Sequence, residues 1–128
     1  MKVKQLITNL SYLLGNQLEI ASGQMLNLLT TLLTDYDIFP ELLLRAYFLL
    51  QNVKIQNIDT FITLVFIQAK LEDDLYVNLK HYIYIINIAE LEKLEIEICQ
   101  QLDWKVIILQ DQFWDLYKVF KLKCTVQS

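Results

Sequence analysis

Two residues of opposite charge, Lys70 and Glu95, stand in apolar surroundings and are the first candidates for chemistry. Lys70 closes the most apolar helix that the sequence predicts, and Glu95 lies within the apolar stripe of a predicted helix from Ile88 to about Leu102. A carboxylate on a buried stripe needs a partner or a polar interface. Because the two helices should pack together, the pair could emerge from an apolar surface and grip the exposed backbone ends of a partner's helix.

The same residues, and the acidic run that follows Lys70, also have simpler interpretations. Glu95 could reach solvent from the edge of its stripe, and Lys70 could complement the negative C-terminal end of its helix dipole. The run Glu72, Asp73 and Asp74 could suggest a metal site, but three adjacent carboxylates diverge on a helix and EF-hand spacing is absent. We interpret the run as a solvated loop, which could also meet an arginine of a partner.

The residues of common catalytic and cofactor sites are not found at the required spacing. His81 has no Ser or Cys at motif spacing, and Gly15 and Gly23 form no phosphate loop. Cys99 is interpreted as a small core residue, and Cys124 as a free thiol near the C-terminus. We therefore expect no enzyme, no cofactor and no metal site.

The composition bounds the fold class and disfavours one class of partner. The chain has 128 residues, of which 55% are apolar and 20% charged, with only two glycines and one proline. This length corresponds to one domain, and so few turn residues favour long helices over a sheet. The net charge of −4 and the pI near 4.9 argue against a nucleic-acid-binding protein, which needs a basic face.

No targeting segment or membrane span is predicted. The N-terminus has the lysines of a signal peptide but no continuous apolar core. The uncharged stretch from Ile20 to Thr34 is shorter and more polar than the ~20 apolar residues that a span needs. We expect an intracellular protein, cytoplasmic or nuclear. Its mean hydropathy of +0.33 indicates that part of its surface faces a partner.

Hydrophobic spacing predicts a run of helices joined by short loops. The stretch from Thr60 to Ala69 carries no charge, so its helix should be the central, buried one. The tract from Tyr82 to Ile86 could be a short strand, but a single strand has no partner, and we favour a helical turn or extended connector. The predicted helices are Leu6 to Leu18, Ser22 to Thr34, Pro40 to Gln51, Ile58 to Leu71, Ile88 to Leu102, and a last helix with a core face at Phe113, Leu116, Tyr117 and Phe120.

Capping residues mark the predicted helix starts. Ser22, Asn57 and Asp111 are expected to be N-caps, since their side chains can accept hydrogen bonds from the first free backbone N–H groups. Asn87 opens a capping box, and Pro40 suits the first turn of its helix.

Segments that follow one another along the chain resemble the helices of a cyclin box. Phe66 to Asp74 resembles the end of its third helix, Glu90 to Trp104 its fourth helix, and Phe113 to Tyr117 its fifth helix. The connector from Asp73 to Tyr82 is similar to that of P/U-type cyclins, and Y-type cyclins and the yeast cyclins of phosphate signalling have related forms. The resemblance covers about residues 38–120. It implies an all-α fold, a single five-helix cyclin box with an N-terminal helical extension.

The resemblance also implies a domain layout and a function. Residues 1–34 would be N-terminal helices, of which the second could be the first helix of the box, residues 35–122 the cyclin-box core, and residues 123–128 a tail. The chain would bind and activate a cyclin-dependent kinase, because Lys70 and Glu95 match the family's Lys and Glu, which hydrogen-bond main-chain groups around the kinase C-helix. Asp73 or Asp74 would offer a carboxylate to a kinase arginine. The implied partner-binding residues are Lys70, Glu95, Asp73, Asp74, Tyr76 and Asn78.

The sequence departs from the family in two places, which leaves alternatives open. Ile85, Ile86 and Asn87 stand where P/U-type members carry Gly-Gly, and Arg45 lies one turn too early to replace the family's Asp-Arg in the second helix. The main alternative is a structural subunit with a cyclin fold, which belongs to a large assembly and binds no kinase. A nucleic-acid-linked cyclin fold of the transcription-factor type is a third interpretation, which the acidic pI disfavours.

Overall fold

The computed structural model describes residues 2–71 and 88–127, which form six α-helices and no strand. The all-α class predicted from the sequence is therefore confirmed for this part of the chain. None of these helices combines the length and the apolarity that a membrane crossing requires. The helices are α1 (Val3–Leu18), α2 (Ser22–Thr34), α3 (Pro40–Leu50), α4 (Ile58–Lys70), α5 (Ile88–Gln101) and α6 (Gln110–Gln127).

Helices α1 and α2 pack against each other as a hairpin. The first helix ends at Glu19, whose backbone is left-handed with a φ of 58°. The carbonyl of Gly15 accepts hydrogen bonds from the N–H groups of Glu19 and Ile20 and so closes the end of the helix. The chain turns back so tightly that a Cβ atom on Gly15 would lie 2.7 Å from the carbonyl oxygen of Ile20. Glycine at position 15 is thus a steric requirement of this hairpin.

The start of α2 differs from the predicted cap. The carbonyl of Ala21 accepts a hydrogen bond from the N–H of Met25 at 3.1 Å, so Ala21 is the N-cap and Ser22 is the first helical residue. The prediction that Ser22 caps α2 is wrong, because the position of the first turn-closing carbonyl, rather than the residue type, decides where the cap lies.

Helix α4 is the centre of the described structure. It begins after Asn57, whose side-chain oxygen accepts a hydrogen bond from the N–H of Thr60 at 2.8 Å, so this predicted cap is confirmed. Every residue from Thr60 to Ala69 is buried, and α4 packs against both α3 and α5. The helix before it begins at Pro40, in the first-turn position that the sequence predicted.

The start of α6 also differs from the prediction. The carbonyl of Leu109 accepts a hydrogen bond from the N–H of Phe113 at 2.8 Å, so the helix begins directly after Leu109. Asp111 lies inside the first turn, and its predicted capping role is wrong. Its carboxylate still favours the positive end of the helix dipole. The side chain of Gln112 instead accepts the N–H of Leu109 at 3.2 Å.

Only part of the predicted core face of α6 is buried. Phe113 and Phe120 are buried, Tyr117 packs partly against them, and Leu116 is exposed. The helix continues to Gln127 and so includes most of the segment 123–128 that was assigned as a tail. The strand-like tract from 82 to 86 and the capping box at 87 lie outside the described residues.

Candidate functional site

The packing of α5 on the end of α4 brings Lys70 and Glu95 together. The Nζ atom of Lys70 lies 2.8 Å from each carboxylate oxygen of Glu95. Lys70 is the last residue of α4, and Glu95 lies in the middle of α5. The two residues are therefore joined in a bidentate contact between neighbouring helices, which we call the Lys70–Glu95 pair.

The pair is neither fully buried nor freely solvated. The side chain of Lys70 is 36% exposed and that of Glu95 is 21% exposed. The Nζ atom of Lys70 also lies 5.5 Å from the centre of the Phe66 ring, a distance at which the positive charge is attracted to the aromatic face. Partial exposure leaves both charges within reach of a partner, while the protein holds their positions.

The chemistry of the pair suits main-chain recognition. An ionised carboxylate has about four acceptor sites, and Lys70 occupies one on each oxygen of Glu95. A lysine ammonium carries only donors and a carboxylate only acceptors. The two groups side by side can therefore bind carbonyl and N–H groups at the open end of another helix.

Cys99 lies one turn after Glu95 in α5 and responds to the pair electrostatically. Burial raises the pKa of the Cys99 thiol, the charge of Glu95 raises it further, and the charge of Lys70 lowers it. The raised pKa keeps this thiol protonated near neutral pH, so Cys99 is a poor nucleophile. It is a buried free cysteine, as the sequence predicted.

The surface next to the pair is partly apolar. Leu71 and Ile96, the chain neighbours of the two charged residues, are both exposed. Leu71 also lines a cavity of about 580 Å³ between the start of α3, the end of α4 and the connector before α6. The amide of Gln68 lines the same cavity and donates to the carbonyl of Val106 at 2.8 Å. Exposed apolar side chains therefore adjoin the Lys70–Glu95 pair.

Arg45 is a second centre of polar contacts, whose role the sequence did not predict. It donates to the carbonyl of Ile108 at 2.5 Å and to Glu41 at 2.9 Å, and its guanidinium carbon lies 4.7 Å from the centre of the Phe113 ring. It thereby ties α3 to the connector and to α6. The spacing of Glu41 and Arg45, one helical turn apart, was the available signal for the ion pair.

The remaining predicted site residues cannot be placed beside the pair. Asp73, Asp74, Tyr76 and Asn78 lie outside the described residues. Within residues 2–71 and 88–127, no cluster of three or more His, Cys, Asp or Glu side chains has the arrangement to hold a metal ion.

Comparison with protein-family models, with curated proteins and with solved structures found no match to this chain.

Proposed function

We propose that the chain is a regulatory, cyclin-like subunit that binds and activates a cyclin-dependent protein kinase. The observation that carries this proposal is the Lys70–Glu95 pair, with its bidentate 2.8 Å contacts and partial exposure. The pair involves the two residues that match the family's kinase-binding lysine and glutamate. The described residues form α-helices around a buried central one, which is compatible with the cyclin resemblance.

In this proposal the chain performs no chemistry and acts on a conformational equilibrium. Lys70 donates to main-chain carbonyls of the kinase around its C-helix, and Glu95 accepts from main-chain N–H groups. These contacts hold the C-helix where its glutamate pairs with the kinase's nucleotide-binding lysine. Activation follows only because the subunit binds the active arrangement more tightly than the inactive one.

The test exchanges the two charges. The double variant Lys70→Glu with Glu95→Lys keeps an ion pair between α4 and α5 but reverses the polarity that a partner meets. Tagged wild-type and variant chains are recovered from the native cells, and the bound proteins are quantified by mass spectrometry. We expect a cyclin-dependent kinase at near-equal amount with the wild type. We expect its loss from the variant, because mispaired charges in a buried contact cost about 2 kcal/mol or more.

The matched control changes the same residue types on the solvent-facing side of α5. Lys93 and Glu97 are both exposed, and exchanging their charges should leave kinase recovery unchanged. Thermal unfolding of each variant separates loss of binding from loss of fold. Full kinase recovery with the exchanged Lys70–Glu95 pair would mean that the pair only joins two helices.

The second candidate is a cyclin-fold structural subunit of a large assembly that has no kinase partner. The observation that favours it is the set of exposed apolar side chains on α6 and the connector before it, which includes Trp104, Ile107, Trp114 and Leu122. In this case the same recovery experiment should yield non-kinase proteins of one complex. Exchange of the Lys70–Glu95 charges should then leave that set unchanged.

A further inference from the structure

The aromatic ring of Phe66 lies beneath the charged end of the Lys70 side chain. Both residues belong to α4 and are four positions apart, a spacing that makes side chains neighbours on one face of a helix. Helical side chains lean towards the N-terminus, so the stem of Lys70 runs back over the turn that contains Phe66. The Nζ atom of Lys70 is 5.5 Å from the centre of the ring. The ammonium therefore interacts with Phe66 of its own helix as well as with Glu95 of α5.

The hydrophobic core holds the ring of Phe66, whereas the lysine side chain has no rigidity of its own. Phe66 is 6% exposed and packs within the core. Lys70 has a flexible four-carbon stem and a side chain that is 36% exposed. The face of an aromatic ring is negative and attracts a cation that lies over it. The ring of Phe66 is thus a fixed element that restricts where the ammonium can lie.

The contact with Glu95 does not by itself fix the position of the ammonium. Both carboxylate oxygens lie 2.8 Å from Nζ, but the side chain of Glu95 is 21% exposed and has rotatable bonds of its own. An ion pair between two flexible, partly exposed side chains loses conformational freedom when it is held in one geometry. The ring of Phe66 supplies the rigid member that such a pair lacks.

We propose that Phe66 is a positioning residue for the Lys70–Glu95 pair, whose ring holds the Lys70 ammonium in the orientation that a partner meets. The inference rests on the proposed function, because it concerns the binding site that the pair forms. Phe66 acts through Lys70, since its own side chain is buried. A partner that meets a lysine already held in place does not have to order that side chain, and pre-organisation of this kind raises affinity.

The first experiment measures the coupling between the ring and the charge in the full chain. Phe66 is replaced by phenylalanines with increasing numbers of fluorine atoms, which withdraw electrons from the ring face and change its size little. The unfolding equilibrium of each chain is measured in urea, with Lys70 and with Lys70→Met. We expect fluorination to raise the unfolding constant about two- to fivefold more in the chain with Lys70. Fluorination of Phe61 is the matched control, since this buried ring of α4 has no cation over it among the residues that the structure describes. Its effect should not depend on Lys70.

The second experiment measures the affinity of the folded chains for the kinase that is recovered with the wild type. We expect the affinity to fall with each added fluorine at Phe66, by about two- to fivefold over the series, and to stay unchanged with fluorine at Phe61. A ring that served only the fold would leave the affinity of folded chains unchanged. An unfolding effect independent of Lys70, or an affinity that is constant over the Phe66 series, would overturn the inference. Recovery of no kinase with the wild type would instead overturn the proposed function, and with it the binding role of Phe66.

Discussion

At the scale of single residues, two ion pairs of similar composition have different surroundings. The Arg45–Glu41 pair lies within one helix, and Arg45 uses its further donors on the connector before α6. The Lys70–Glu95 pair joins two helices and keeps a partly exposed edge. The side chain of Arg45 is 15% exposed and contributes to the fold, whereas that of Lys70 is 36% exposed and within reach of a partner.

We expect Arg45→Met to destabilise the protein by about 1.5–3 kcal/mol. The substitution keeps an apolar stem but removes the donor to the Ile108 carbonyl, and a hydrogen bond from a charged group contributes on this order. It also removes the cation from the face of the Phe113 ring. The free energy of unfolding, measured in urea, tests this expectation.

The control for this measurement is Lys93→Met, which makes the corresponding change at an exposed position of α5. A surface substitution of this kind should alter the unfolding free energy by no more than about 0.5 kcal/mol. An Arg45 variant as stable as the Lys93 variant would show that the α3–connector contact contributes little.

Residue types and local spacing predicted some of these contacts and not others. Lys70 and Glu95 stood out because each was a charged residue in an apolar segment. The sequence also predicted that their helices pack together. The bond between Arg45 and the carbonyl of Ile108 joins residues far apart in the chain, and a backbone acceptor carries no signal in the residue type. Whether the Lys70–Glu95 pair meets a kinase depends on a second molecule and stays a prediction.

At the scale of helices, the α1–α2 hairpin depends on how closely its two backbones approach. Gly15 lies against the backbone of Ile20 and Ser22, whereas a Cβ atom on Gly23 would meet no atom within 4 Å. The two glycines of the chain therefore have different structural roles. One allows the close approach of two chain segments, and the other is a flexible residue in an exposed helical turn.

We expect Gly15→Ala and Gly23→Ala to change stability in opposite directions. At position 15 the added Cβ atom would lie 2.7 Å from a carbonyl oxygen, so the hairpin must shift and the protein should lose about 1–3 kcal/mol. At position 23 alanine fits without contact and lowers the entropy of the unfolded chain, which should add about 0.4–1 kcal/mol. Thermal unfolding of both variants gives the comparison, and equal shifts of the same sign would contradict the hairpin geometry.

Hydrophobic spacing predicted which of the described segments form helices. The residues at which those helices begin were predicted only in part. Asn57 caps α4 as expected because its side chain meets the N–H of Thr60 within the same turn. Ser22 and Asp111 were equally good capping residues by type, but Ser22 is the first residue of α2 and Asp111 the second residue of α6, so neither is an N-cap. Which carbonyl closes the first turn depends on how the helix packs, and that information lies in distant segments of the chain.

At the scale of the whole molecule, three titratable groups with raised pKa values lie in the helix packing. Burial raises the pKa of the Tyr47 phenol, with a smaller contribution from Cys124. Burial likewise raises the pKa of the Cys124 thiol, and burial and Glu95 raise that of Cys99. All three groups resist losing their protons in the folded state more than in the unfolded state.

We therefore expect the free energy of unfolding to fall as the pH rises above about 9.0, the ordinary thiol value. In the unfolded chain these groups release their protons first, so the unfolded state binds fewer protons and becomes favoured as the pH increases. The stabilising contribution is complete below the unfolded pKa and is lost as the pH passes the folded pKa. Urea unfolding between neutral pH and pH 10.0, the ordinary phenol value, measures this slope.

The variant Cys99→Ala with Cys124→Ala should show a shallower slope, because Tyr47 then remains as the only one of the three groups. An unchanged slope in this variant would mean that the two thiols titrate alike in the folded and unfolded chains. The comparison rests on the slope, so a uniform loss of stability from the two substitutions does not affect it.

The buried, uncharged segment of α4 also has a consequence for the synthesis of the chain on the ribosome. During translation, the segment from Thr60 to Ala69 leaves the ribosome before α5, which packs against it. Until then only the earlier helices can cover this segment, and the side of it that packs on α5 stays exposed to water. A nascent chain paused at this stage would present a binding sequence for holding chaperones. Synthesis rate across this region therefore bears on yield.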